Sequence, residues 1–200
     1  MILAGGRASR MHNLDKGLQQ LNRKTLVEHV IDRIQPQVSA LTINANRNLE
    51  HYRQFGLPVW PDADLPESIG EHEFKGPLAG LETGLLHCKT DYLLIVPCDS
   101  PFVPTDLAYR LFSGLHDANV DIALTYTGTK AKPTLQPVFS LIKVSLLPQL
   151  KQYLGSGGRK MASWYGNAAA VNVFFPDESA FMNINTLAEL RACSAENFKI

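Results

Sequence analysis

YLLIVPCDSPF, residues Tyr92–Phe102, runs from an unbroken apolar stretch into an aspartate bracketed by prolines. Tyr92-Leu93-Leu94-Ile95-Val96 is apolar on both faces, as in a strand of a parallel sheet covered by helices on either side. Asp99 then falls at the mouth of that strand. Open α/β sheets bind ligands beyond the carboxyl ends of their strands. A carboxylate there suits Mg²⁺, a cation that takes hard oxygen ligands and substrate phosphates. It equally suits the start of a turn between Pro97 and Pro101.

Outward from this stretch, strand and helix patterns alternate. Met1–Ala4 reads as the end of a buried strand. Thr25-Leu26-Val27-Glu28 forms a capping box, and behind it Leu26, Val27, Val30, Ile31 and Ile34 make one helical stripe that Pro36 ends. Leu41–Asn44 is the next expected strand, Asn48–Phe55 a helix stopped by Gly56, and Leu57–Trp60 a strand. Pro77–Cys88 follows as a helix with proline in its first turn. Beyond Asp99, Leu107, Leu111, Phe112 and Leu115 mark a helix. Val120–Tyr126 and Leu135–Leu141 are expected strands, and Val144–Leu154 a helix. After the loop at 155–158, a short helix runs through Trp164, then comes a strand at Ala169–Phe175. Thr186–Glu189 is a second capping box, opening a terminal helix. This alternation predicts one α/β domain over residues 1–200: helices flank a mostly parallel central sheet in three layers. The polar residues at its strand ends are Gly5-Gly6, Asn44, Asp62 and Asp99.

The 200 residues carry 19 Lys+Arg and 19 Asp+Glu, which argues against a nucleic-acid binder with a basic surplus. Cationic charge near the start of the chain is therefore local, aimed at a small anion. Cys88, Cys98 and Cys193 match neither a zinc spacing nor a disulfide framework, and a cytoplasmic setting fits them. No apolar run reaches the roughly 20 residues of a membrane span, and no secretory leader is evident.

The opening stretch MILAGGRASRMHNLDKG (Met1–Gly17) sets two glycines after a strand and then three cations. Glycines there let backbone N–H groups approach an anion, and Arg7, Arg10 and Lys16 can neutralise phosphate charge. A plain turn with a solvated basic face would look the same. Neither the P-loop pattern nor Gly-x-Gly-x-x-Gly is present, which disfavours a nicotinamide-dependent oxidoreductase. Asp62 could accept hydrogen bonds from a base or a ribose, or cap a turn. Asn44 and Asn46 read most simply as turn residues, and Asn183-Ile184-Asn185 precedes a helix cap.

Taken in order, LAGG-x3-RM-x3-DKG (Leu3–Gly17), NANR (Asn44–Arg47), PD (Pro61-Asp62), GPLAG (Gly76–Gly80), PCDSPF (Pro97–Phe102) and NINT (Asn183–Thr186) resemble the molybdenum cofactor guanylyltransferases, within the nucleotidyltransferases of Rossmann-like fold. The resemblance covers nearly the whole chain. It implies that Leu3, Ala4, Gly5 and Gly6 line a GTP site and that Lys16 binds the phosphates, with Arg10 as a further catalytic cation. It also implies that Asn44 and Asp62 hold the nucleotide, that Asp99 ligates Mg²⁺, and that Asn183 and Asn185 lie near molybdopterin, together with Arg159-Lys160. The implied reaction joins GMP from GTP to the terminal phosphate of molybdopterin. Implied partners are apo-molybdoenzymes and an accessory GTP-binding protein, with no nucleic acid and no membrane. Such chemistry asks for in-line positioning and positive charge on the phosphates, so the absence of a nucleophile–base pair is expected.

The chain departs from the family pattern in three places. It begins at Met1-Ile2 where the family's first strand has several more residues, and it carries His12-Asn13 where the family tends to have Gly-Gly. Ala63–Lys75 is long and reads as a mobile lid over the nucleotide. Two rival readings remain: a cytidylyltransferase of the same fold, and a non-catalytic nucleotide-binding regulator. Against the first, Gly5 stands where such relatives tend to carry alanine, which is expected to leave room for a purine.

Overall fold

The computed structural model describes residues 1–6, 14–63, 76–129 and 131–195. Arg7, Arg10, His12-Asn13 and the expected lid after Ala63 lie outside those residues.

The strands are β1 (Ile2–Leu3), β2 (Gln20–Leu21), β3 (Lys24–Thr25), β4 (Ile43–Asn44), β5 (Val59–Trp60), β6 (Tyr92–Pro97), β7 (Ile122–Thr129), β8 (Lys132–Lys143) and β9 (Ala170–Phe174). The helices are α1 (Leu26–Ile34), α2 (Leu49–Arg53), α3 (Pro77–His87), α4 (Leu107–Ala118), α5 (Leu147–Gly155), α6 (Met161–Tyr165) and α7 (Leu187–Ala195). Seven strands form one sheet in the order β5-β4-β1-β6-β8-β7-β9. β1 pairs in parallel with β4 on one side and β6 on the other, Ile2 opposite both Ile43 and Val96. Connectivity steps outward from β1 to β4 and β5, then returns to β6 across β1. Strand order therefore reverses at β1/β6, and the crevice at their carboxyl ends is where such sheets take ligands.

β6 explains the layering. Its side chains alternate, Leu93 and Ile95 packing with Leu78, Leu81 and Leu85 of α3 and with Trp164 of α6, beside Leu150 of α5. Leu94, Val96 and Cys98 face the opposite core, with Val27, Val30 and Ile34 of α1, Tyr52 of α2 and Leu107, Leu111 and Leu115 of α4. A strand that is apolar on both faces buries both only between two helical layers.

The capping box at α1 forms as expected: Thr25 N donates to Glu28 Oε2 at 2.7 Å and Glu28 N to Thr25 Oγ1 at 3.4 Å. The second closes over Thr186 and Glu189 ahead of α7.

Three differences from the sequence reading have physical causes. The two-residue hairpin β2–β3 turns at Asn22 and Arg23, both at positive φ, and without glycine the turn carries no sequence mark. β6 has a parallel neighbour on one side only, because β8 runs antiparallel beside it. Apolar patterning sets burial, and it does not set strand direction. β4 and β5 are shorter than expected, since only the residues facing β1 and each other enter the ladder.

Candidate active site

A cavity of about 180 Å³ opens at the carboxyl ends of β1, β4 and β6. Its lining takes Leu3, Ala4, Gly5 and Gly6 from the end of β1 and the loop after it, and Asn44 and Asp62 from β4 and beyond β5. Asp15 and Lys16, Gly76 and Pro77 at the start of α3, Pro97 to Asp99, Val138 of β8 and Asn183 complete it. Strand ends far apart in sequence meet here because parallel strands all point their carboxyl termini the same way.

Lys16 is the cation of this cavity among the described residues. Its Nζ stands 3.3 Å from Asp99 Oδ2 and donates at 2.5 Å to Asn185 Oδ1. Asp99 is buried, and desolvation raises its carboxyl above the ordinary aspartate value; Lys16 opposes that rise by charge and hydrogen bond. The loop at 183–185 is stitched to the end of β6: Ser100 Oγ donates to Asn183 Oδ1 and Ile184 N to Asp99 O at 2.8 Å. Asn183 thus lines the cavity, and Asn185 stands behind Lys16.

Lys16 is aimed from below by a network the sequence reading missed. Asp15 is buried; its Oδ1 accepts from Tyr52 Oη at 2.6 Å, and its Oδ2 accepts from Asn48 Nδ2 at 3.0 Å with Arg47 Nε 3.6 Å away. Gly17 follows, and a Cβ there would lie 2.5 Å from Tyr52 Oη and 3.2 Å from Cys98 Sγ. The segment bearing Lys16 is therefore clamped onto α2 and the end of β6. Adjacency of Asp15 to Lys16 was the available signal; its partners lie over thirty residues on.

On the opposite wall, Asn44 Nδ2 donates to Asp62 Oδ1 at 2.8 Å and to Trp60 O at 3.1 Å. Two glycines flank this amide. A Cβ on Gly80 of α3 would fall 2.4 Å from Asn44 Oδ1, and one on Gly5 would fall 3.3 Å from the same atom and 2.9 Å from Asn46 Nδ2. The missing side chain at Gly5 thus has a nearer use than room for a purine: it admits these amides. A Cβ on Gly6 would meet nothing within 4 Å among the described residues. Arg159 turns back on its own loop, donating to Leu154 O and Gly158 O, and like Lys160 does not line the cavity.

Among the described residues no group of three or more His, Cys, Asp or Glu could enclose a metal. Asp15 is occupied by Tyr52 and Asn48, which leaves the buried Asp99 carboxylate, and one carboxylate beside the cavity fits Mg²⁺ better than a cation needing a protein cage. Mg²⁺ keeps waters and substrate oxygens as its other ligands.

A reversing sheet whose crevice sets the Lys16 ammonium and the Asp99 carboxylate beside a glycine loop has the parts of phosphoryl chemistry, and the one thiol in the described lining, Cys98, is held protonated by burial. Fold and site together define a nucleotidyltransferase. Residues 1–170 match the MobA-like NTP transferase domain, and the chain belongs to that family. It is 50% identical over 196 residues to the molybdenum cofactor guanylyltransferase of Ralstonia nicotianae, covering 96% of this chain and 93% of that one. The molybdenum cofactor guanylyltransferase of Bordetella pertussis is 46% identical over 191 residues, with 96% and 93% covered. Among solved structures, molybdopterin-guanine dinucleotide biosynthesis protein A from Archaeoglobus fulgidus superposes with a TM-score of 0.73 at 19% identity, covering 100% of this chain and 98% of that one. The 2-C-methyl-D-erythritol 4-phosphate cytidylyltransferase of Thermus thermophilus gives 0.70 at 12% identity, with 98% and 96% covered. The two structural likenesses establish the shared fold.

Proposed function

We propose that this chain, acting as one nucleotidyltransferase domain over residues 1–200, transfers GMP from GTP to the terminal phosphate of molybdopterin and releases pyrophosphate. An oxygen of the molybdopterin phosphate forms a bond to the α-phosphorus of GTP, and the bond from that phosphorus to the β-phosphate bridging oxygen breaks. The observation that carries the reading is the meeting of Gly5, Gly6, Lys16 and Asp99 around one cavity at the reversal point of the sheet.

The backbone after β1 binds the phosphates through its N–H groups, with the glycines keeping side chains out of the way. Lys16 places its ammonium on the same phosphates as a point charge. Asp99 would hold Mg²⁺, which supplies charge neutralisation at the phosphate oxygens. Asn44 and Asp62 orient the nucleoside, Asn183 faces the acceptor, and Asn185 steadies Lys16 beside it. An attacking phosphate is already anionic, so no general base is required. The regulator reading accounts for none of this, since a mere binder needs no metal-ligating carboxylate.

No helix among the described residues is long and apolar enough to cross a membrane. A cytoplasmic location suits an enzyme that draws on GTP, with apo-molybdoenzymes and a GTP-binding accessory protein as downstream partners.

The test is a thermal-shift series with GTP, CTP and ATP, each with and without Mg²⁺. A ligand held at a hundred times its Kd stabilises by about 2.7 kcal/mol. Stabilisation selective for Mg·GTP supports the reading. Equal shifts with all three nucleotides overturn its base assignment, and no shift with any overturns the enzyme.

A further inference from the structure

Asn46 does not line the cavity, yet its whole side-chain amide is committed to a residue that does. Its Nδ2 donates to Asp62 Oδ2 at 2.9 Å, and its Oδ1 accepts from the Asp62 backbone N–H at 2.9 Å. Asn44 Nδ2 holds the other oxygen, Oδ1, at 2.8 Å. One amide on each oxygen fixes the carboxylate plane, whose terminal torsion is otherwise broad. Each oxygen retains a further acceptor direction. Among the described residues no cation forms an ion pair with Asp62.

A planar anionic acceptor held this way matches a ligand with two adjacent donors. A guanine presents an N–H beside an NH₂ on one edge, and a ribose presents two neighbouring hydroxyls. We propose that Asn46 is a positioning residue for nucleotide recognition, holding the Asp62 carboxylate so that both oxygens receive such a donor pair. This inference rests on Asp62 being a nucleotide contact, as read above. Gly5 carries the complementary part, because a Cβ there would collide with the Asn46 Nδ2 that makes the bracket.

The experiment measures Mg·GTP binding by calorimetry and steady-state kinetics for wild type, Asn46→Ala, Asp62→Ala and the double variant. Asn46→Ala is expected to weaken GTP binding by about tenfold, the order expected for one hydrogen bond to a charged group. KM should rise while kcat at saturating GTP stays within about threefold, the pattern of lost uniform binding. In the Asp62→Ala background the Asn46 change should cost nothing more, since its target is gone. Unaltered GTP binding by Asn46→Ala overturns the proposal, and so does a full additional loss in the double variant. Should the alanine variant not fold, Asn46→Asp keeps the shape and removes the donor. Taken as a ratio to wild type at the same pH, its binding should recover at lower pH, where one of the two facing carboxyls regains a proton, and a ratio that does not change with pH counts against the proposal.

Two analogues distinguish the source of the donors in wild type. Weaker binding of inosine triphosphate, which lacks the amino group, assigns the base edge. Weaker binding of 2′,3′-dideoxy-GTP assigns the ribose. Binding of both as tightly as GTP overturns the paired-donor account. Failure of wild type to bind GTP at all would instead overturn the function read above.

Discussion

Lys16 Nζ and Asp99 Oδ2 stand 3.3 Å apart at the foot of the cavity, joining a loop near the start of the chain to the end of β6. This pair sets the pH response of the site. Burial outweighs the lysine, so the Asp99 carboxyl titrates above its ordinary value of 3.8. The ionised form that holds a cation is thus lost, on acidification, earlier than at an exposed aspartate. Mg·GTP binding is expected to decline on an acid limb above pH 3.8, and Lys16→Gln should move that limb higher. A limb unmoved by the substitution would contradict the pairing. For folding the sign reverses: the native state binds the proton more tightly, so ionising Asp99 lowers stability as pH rises through the same window. Asp99→Ala should abolish guanylyl transfer by orders of magnitude while far-UV circular dichroism stays native.

Tyr52 and Asp15 supply a second expectation. Burial and the neighbouring negative groups push the Tyr52 hydroxyl up, so it remains a donor to Asp15 at every accessible pH. Tyr52→Phe removes one donor from a buried carboxylate and should cost about 1–3 kcal/mol in urea unfolding. It should also raise KM for GTP, because the segment bearing Lys16 loses its clamp. An unchanged KM alongside lost stability would confine Tyr52 to the core.

The glycines separate packing from ligand approach. Gly80→Ala puts a methyl 2.4 Å from Asn44 Oδ1 and should lower both Tm and GTP binding. Gly6→Ala meets nothing within 4 Å among the described residues and should leave Tm within about 2 °C. If phosphate approaches the backbone at Gly6, that same stable variant should bind GTP markedly more weakly. Full GTP affinity in Gly6→Ala would remove Gly6 from the phosphate loop.

In a polypeptide whose first residue is Met1, the α-amino group is buried and donates to Leu94 O. Burial pushes its pKa down to about 5 from an ordinary 8.0. The unfolded chain therefore binds this proton more readily, and stability should rise with pH between about 5 and 8. Acetylating the amine, or placing a residue before Met1, should flatten that part of a Tm-against-pH curve. A slope that persists would assign it to other groups.

What could be read from sequence shares one property: its cause lies within a few residues. The Thr25–Glu28 box closes over three positions, Gly56 takes φ 72 at the end of α2's turn, and β6 announces burial by its own composition. The motifs at Gly5-Gly6, Asn44, Asp62 and Asp99 could be placed at strand ends because parallel strands put their carboxyl ends on one rim. Tertiary structure alone decided what those residues do to one another. Asn46, a turn residue by local reading, became a bracket because β4 and β5 run side by side and bring Asp62 within 2.9 Å. Asp15 met Tyr52 because α2 packs under the loop. β8 lay antiparallel to β6 because strand direction follows from the path of the whole chain, on which hydrophobic pattern is silent. Local propensity and burial act through nearest neighbours in sequence, whereas hydrogen-bond partners and packed glycines depend on distances that exist only once the sheet has closed.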